Sequence, residues 1–167
     1  MGIEIERKFT VTGSDWRNHV DQSVLMAQGY LNDMAALRNG AQQASVRVRI
    51  AGARAFLNVK SRELGHTRQE FEYEIPIDDA QALLRLCIGG LIEKTRHYIS
   101  QGALTWEVDV FEGENAGLIV AEIELPHADA EFEKPEWVDR EVTDSLRYYN
   151  LALAERPYAQ WLPEEKA

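Results

Sequence analysis

Residues 1–8 read Met1-Gly2-Ile3-Glu4-Ile5-Glu6-Arg7-Lys8, and the spacing of their charges decides the fold. In a β-strand, side chains two apart share a face, so Glu4, Glu6 and Lys8 form one charged row with Ile3 and Ile5 on the other side. The arrangement recurs in Arg47/Arg49, Glu72/Glu74, Lys94/Arg96, Glu107/Asp109 and Glu122/Glu124. One such strand reads as a solvated surface, whose exposed ion pairs contribute under about 1 kcal/mol each. Repeated rows with like charges side by side are repulsive unless something of opposite sign sits between them.

The strands can be read outward from that start. Residues 3–11 alternate regularly; 12–22 form a turn with a short helix; 28–31 suggest a short strand, and Asn39-Gly40 a turn. Ser45–Ile50 and Ala55–Arg62 make an antiparallel hairpin across Gly52. Gly65 breaks the chain before the strand Arg68–Ile77. A helix over Ala80–Leu86, capped by Asp78 or Asp79, ends at Gly89-Gly90. Three strands follow at 92–99, 104–111 and 118–125. Residues 128–134 read as helical, and a final helix spans about 139–155 with Leu146, Leu151 and Leu153 available to pack.

These elements predict an α+β chain that is mainly antiparallel β: an eight-stranded, tunnel-like barrel with a polar, charged lumen and helices packed outside. The charged face cannot be a core, so it lines a wet lumen and the apolar face is covered from outside. Closure also removes exposed strand edges. The 167 residues suit a single domain, with a core over 3–154 and a short tail.

Composition narrows the partners. A net charge of −10 argues against nonspecific binding to nucleic acid or to an anionic membrane. No stretch approaches the roughly 20 apolar residues of a membrane span. Cys87, the 1 cysteine, cannot form an internal disulfide, which favours a cytoplasmic protein. The four histidines lack zinc-ligand spacing, and neither a P-loop nor a Rossmann glycine pattern is present.

The rows themselves suggest chemistry. Arginine and lysine in a cavity suit a polyanion such as a triphosphate, with arginine the bidentate partner. Paired carboxylates suit a hard divalent ion, Mg²⁺ or Mn²⁺. Metal can polarise a phosphoryl oxygen and activate water. A cavity with one basic wall and one acidic edge meets both needs.

The ordered set resembles the CYTH superfamily, the triphosphate tunnel metalloenzymes, in a short bacterial form. The residues that carry the resemblance are Glu4-x-Glu6-x-Lys8, Arg47-x-Arg49, Lys60, Glu72-x-Glu74, Glu93-Lys94-x-Arg96, Asp109, Glu122-x-Glu124 and the late Arg147-Tyr148-Tyr149-Asn150. The resemblance implies catalytic roles for Glu4, Glu6 and Lys8, and a metal site at Glu4, Glu6, Glu122 and Glu124. It implies phosphate binding by Lys8, Arg47, Arg49, Lys60, Lys94, Arg96 and, from the final helix, Arg147. Glu72, Glu74 and Asp109 match further acidic tunnel positions. The expected activity is metal-dependent hydrolysis of a small triphosphate, foremost inorganic triphosphate to pyrophosphate and phosphate. The alternatives are a class IV-type adenylate cyclase, a thiamine triphosphatase, or a non-catalytic polyphosphate- or nucleotide-binding module. The expectation is compatible with a homodimer.

Overall fold

In the computed structural model, which describes residues 2–62 and 67–167, the strands run antiparallel in one sheet. They are β1 (Gly2–Val11), β2 (Gln22–Tyr30), β3 (Ala44–Ala51), β4 (Arg54–Ser61), β5 (Thr67–Ile75), β6 (Ile88–Gln101), β7 (Leu104–Phe111), β8 (Ile119–Glu124) and β9 (Val138–Glu141). The order β5-β4-β3-β2-β6-β7-β8-β1 closes on itself through β1 and β5, giving the eight-stranded barrel. The expected break at Gly65 lies outside the described residues, as does His66.

Closure is partial, and this shapes the rest of the chain. β5 pairs with β1 only from Gly2↔Glu70 to Ile5↔Thr67. Beyond that point the same edge of β1 is taken by β9, with Phe9 opposite Glu141 and Val11 opposite Val138. Backbone groups that would otherwise be bare are thereby paired. Two hairpins turn through Gly52-Ala53 and Gly102-Ala103, where the glycines adopt φ of 58° and 60°. Type II′ turns ask for a residue free to take positive φ at that position.

The registers align all charged rows on one face. Glu6 lies opposite Glu124 and Lys8 opposite Glu122. Arg96 lies opposite Asp109, and Arg47 opposite Asn58. The outward faces carry the apolar cores. Phe9, Trp16, Trp106, Trp137 and Ile123 form one cluster under the segment that follows β8. Helix α2 (Ile77–Leu84) covers β3 and β4, burying Val48, Ala55 and Ala80.

A third cluster lies inside the barrel, where none was expected. Ile92, Phe111 and Val120 share the face of Lys94, Asp109 and Glu122, and they meet Tyr148, Leu153 and Trp161 of the C-terminal segment. The lumen therefore changes from charged to apolar along its length, and its apolar end is stopped by the chain's own C-terminal residues. The barrel is a cup.

Several expected helices differ. The helix expected at 80–86 runs Ile77–Leu84 with Pro76 at its N-cap position, so Asp78 and Asp79 occupy its first turn and do not cap it. Residues 128–134 form no helix. The single helix expected at 139–155 is replaced by β9, a 3-10 turn at Leu146–Tyr148 and the short α3 (Asn150–Glu155). Pairing with the open edge of β1 outweighs the helical preference of the first part of that stretch. A short α1 (Met34–Arg38), not legible in advance, is capped by Asp33, whose carboxylate accepts the Ala35 N–H at 3.1 Å.

Candidate active site

The open part of the lumen is a cavity of about 850 Å³. Of the residues singled out in the charged rows, Glu4, Glu6, Lys8, Arg47, Arg49, Lys60, Glu72, Arg96, Glu107, Glu122 and Glu124 line it. Lys94 and Asp109 sit behind this wall, both fully buried, with the Lys94 ammonium 2.6 Å from Asp109. Two residues lie elsewhere. Glu74 is exposed and takes two hydrogen bonds from Arg54, at 3.1 and 2.6 Å. Arg147 lies against the rings of Tyr148 and Trp161, at 5.2 and 5.4 Å from their centroids. Neither belongs to the cavity lining. Alternation fixes the face of Glu74, but the strand has left the lumen by that point. Arg147 belongs to a 3-10 turn that packs on the C-terminal aromatics instead of a helix aimed into the barrel.

One side of the cup is an interlocked ion-pair layer. Lys8 donates to Glu122 at 2.5 Å and pairs with Glu6 at 2.8 Å. Burial alone pulls its pKa down, yet Glu122 and Glu6 outweigh burial and hold it above the ordinary lysine range. Arg96 grips Asp109 through two bonds of 2.7 and 2.8 Å, reaches Glu122 at 3.0 Å and also pairs with Glu107. Against the opposing effect of burial, Lys8 and Arg96 keep the Glu122 carboxyl well below the usual range. This layer is satisfied.

The opposite wall is not. The Nε atoms of Arg47 and Arg49 are buried without a hydrogen-bond partner, and Arg47 reaches Glu72 only at 4.0 Å. Burial, then Arg47 and Arg96, pulls the Arg49 pKa down to about 10. Beside them the amide of Gln28, opposite Arg49 in register, is fully buried with neither N nor O bonded. Buried polar groups are normally paired. A wall of uncompensated cations is built for an anion.

At the rim the carboxylates gather. Glu4 accepts from Lys60 at 2.7 and 2.9 Å and from Arg68 at 3.1 Å. The carboxyl of Glu124 titrates above its usual range, through burial and the negative charges of Glu4, Glu70 and Glu6. A cation among these groups would relieve that repulsion. The donors are all carboxylate oxygens, the set that hard divalent ions prefer. Among the described residues, no three carboxylates converge closely enough to enclose an ion as they stand. Glu4 is turned to its cations, and Glu6 to Lys8. By donor chemistry Glu4, Glu6 and Glu124 fit a divalent metal, whereas Glu122 is engaged deeper, between Lys8 and Arg96.

Among the lining residues, Arg68 and the part of Asn58 as a carboxylate anchor escaped the sequence reading, and Tyr149 entered it only within the Arg147-Tyr148-Tyr149-Asn150 run, without a role of its own. Arg68 had a signal, since it precedes Glu70 and Glu72 by even steps and so shares their face. Asn58 donates to Glu70 at 2.6 Å and to Glu72 at 3.1 Å. Tyr149 comes from the irregular C-terminal segment, where periodicity says nothing.

A one-ended antiparallel barrel whose lumen sets poorly compensated arginines against a carboxylate rim defines a polyanion-binding tunnel protein. The chain belongs to the CYTH domain family, whose model matches residues 2–158. It is 44% identical over 159 residues to an inorganic triphosphatase of Acetivibrio thermocellus, covering 95% of this chain and 97% of that one. To an inorganic triphosphatase of Nitrosomonas europaea it is 37% identical over 156 residues, covering 90% and 96%. A crystal structure of an inorganic triphosphatase superposes with a TM-score of 0.64 at 32% identity, covering 98% of each chain.

Proposed function

We propose that this chain hydrolyses inorganic triphosphate to pyrophosphate and phosphate, using Mg²⁺ or Mn²⁺. The observation that carries the reading is the Arg47/Arg49 wall, whose Nε atoms are buried without a hydrogen-bond partner and which meets a carboxylate only where Arg47 reaches Glu72 at 4.0 Å, set in one cavity with Glu4, Glu6 and Glu124. The family and the names of its two relatives support the substrate. Arg47, Arg49 and Lys60 hold the phosphate chain by charge-assisted bonds, arginine gripping two oxygens at once. Lys8 lies between that chain and Glu6, where it neutralises charge on the phosphoryl group under attack. Glu4, Glu6 and Glu124 would hold the metal, which would supply polarisation of a phosphoryl oxygen and a lower pKa for the attacking water. The satisfied layer of Arg96, Asp109 and Glu122 keeps Lys8 in place. The apolar plug of Phe111, Leu153 and Trp161 excludes water from the far end.

The single free cysteine accords with a cytoplasmic setting. Among the described residues no helix is long and apolar enough to cross a membrane. Incubation with Mg²⁺ or Mn²⁺ and inorganic triphosphate, ATP or thiamine triphosphate tests the proposal by product identity. Pyrophosphate and phosphate from inorganic triphosphate, faster than any conversion of ATP, are expected. Cyclic AMP as the dominant product, with negligible phosphate release from triphosphate, overturns it in favour of a cyclase.

A further inference from the structure

We propose that Tyr149 is a positioning residue whose ring holds the Lys8 ammonium and the Arg68 guanidinium ready for phosphate, an inference that rests on the triphosphatase reading. The Lys8 Nζ lies 4.6 Å from the ring centroid and the Arg68 Cζ 5.4 Å, and Tyr149 lines the cavity beside both. Both distances fall within the range of cation–π attraction.

The ring is placed by the C-terminal segment, and that segment is fastened to Lys8. The Val142 N–H donates to the Lys8 carbonyl at 2.8 Å, and the Lys8 N–H donates to Thr143 Oγ1 at 3.0 Å. The Tyr149 hydroxyl in turn donates to the Thr143 carbonyl at 2.6 Å. The backbone of Lys8 and the ring over its ammonium are thus set by one short stretch, residues 142–149.

The chemistry explains why a ring is useful here. An ammonium on a flexible stem has three donors, and carboxylates claim two of them, at Glu122 and Glu6. A third carboxylate would consume the remaining N–H. An aromatic face attracts the charge without accepting a full hydrogen bond, so one N–H stays available for a phosphate oxygen. Arg68 has the same need, being drawn to Glu4 at 3.1 Å and Glu6 at 3.9 Å. Were those carboxylates to hold a divalent ion instead, the Tyr149 ring would be the partner that stays.

Kinetics of Tyr149→Phe and Tyr149→Leu with inorganic triphosphate, alongside thermal melts, test this. The Phe variant keeps the ring and should stay within about twofold of wild type in kcat/KM. The Leu variant should lose roughly 10- to 30-fold, the scale of one desolvated cation–π contact. If Leu lowers the melting temperature by more than a few degrees, Tyr149→Met, which fills the space without a π face, takes its place. A ringless variant with wild-type kcat/KM overturns the inference. So does a Phe variant that falls as far as Leu, because the hydroxyl tether alone then matters. Calorimetric titration of the metal-free protein with inorganic triphosphate separates the two readings. If wild type binds triphosphate but never cleaves it, the triphosphatase reading fails; weaker binding by the ringless variant alone still supports the placement, and equal binding removes it.

Discussion

Lys60 donates to both carboxylate oxygens of Glu4, at 2.7 and 2.9 Å, so a residue suited to phosphate occupies a residue suited to metal. In this state the two halves of the site neutralise each other. If Glu4 holds the metal, as proposed, Lys60 and Arg68 would have to leave it, and the two freed cations would then face the cavity. Turnover of triphosphate should vanish with a chelator and return with Mg²⁺ or Mn²⁺. Lys60→Met should tighten Mn²⁺ binding in the absence of phosphate by about 10-fold, the scale of one lost charge-assisted bond, while raising KM for triphosphate. Electron paramagnetic resonance of Mn²⁺ reads the first effect directly. Unchanged Mn²⁺ affinity in Lys60→Met would remove Glu4 from the metal site.

Arg49 presents the opposite trade. Its depressed pKa, about 10, leaves it charged at neutral pH against Arg47 and Arg96. Arg49→Met removes the repulsion while keeping much of the volume, so the melting temperature should rise, by about 2–4 °C per kcal/mol relieved in a chain of this size. Triphosphate kcat/KM should fall by roughly 10- to 100-fold, the worth of a charged hydrogen bond to substrate. A lower melting temperature with intact kinetics would make Arg49 a structural residue.

The lumen rows were legible because a strand's side chains alternate strictly, so Glu4, Lys8, Arg96 and Glu122 announce a shared face. Alternation gives the face and not the position along the barrel axis. Ile92, Phe111 and Val120 have the same parity as Lys94, Asp109 and Glu122, yet they build the closed end of the cup. That end depends on Leu153 and Trp161, whose approach is set by tertiary contacts. β9 escaped for a related reason: only the short reach of β5 along β1 shows that an edge is left for residues 138–141 to fill.

Glu74 illustrates the same limit in the other direction. It shares the face of Glu72 but ends exposed, paired with Arg54. Glu74→Ala should leave triphosphate turnover within about twofold and change stability by under ~1 kcal/mol, as for other exposed pairs. A large loss of kcat would return Glu74 to the site.

Lys94 lies fully buried against Asp109, and the pair gives a pH signature. Burial, aided by Arg96 and Arg49 and opposed by Asp109, pulls the Lys94 pKa down from 10.5 to about 8. Below pH 8 the lysine is protonated in both folded and unfolded chains, and its contribution to stability is flat. Between about pH 8 and 10.5 the unfolded chain binds more protons than the folded one, so this group makes the fold more stable as pH rises. Lys94→Met removes the effect without orphaning Asp109, which keeps its two bonds from Arg96. Urea unfolding of both proteins at pH 7, 8, 9 and 10 isolates the term, since other groups titrate alike in each. The stability difference should move in favour of wild type as pH climbs past 8. A difference that stays flat across the series would mean that Asp109 holds the Lys94 proton throughout.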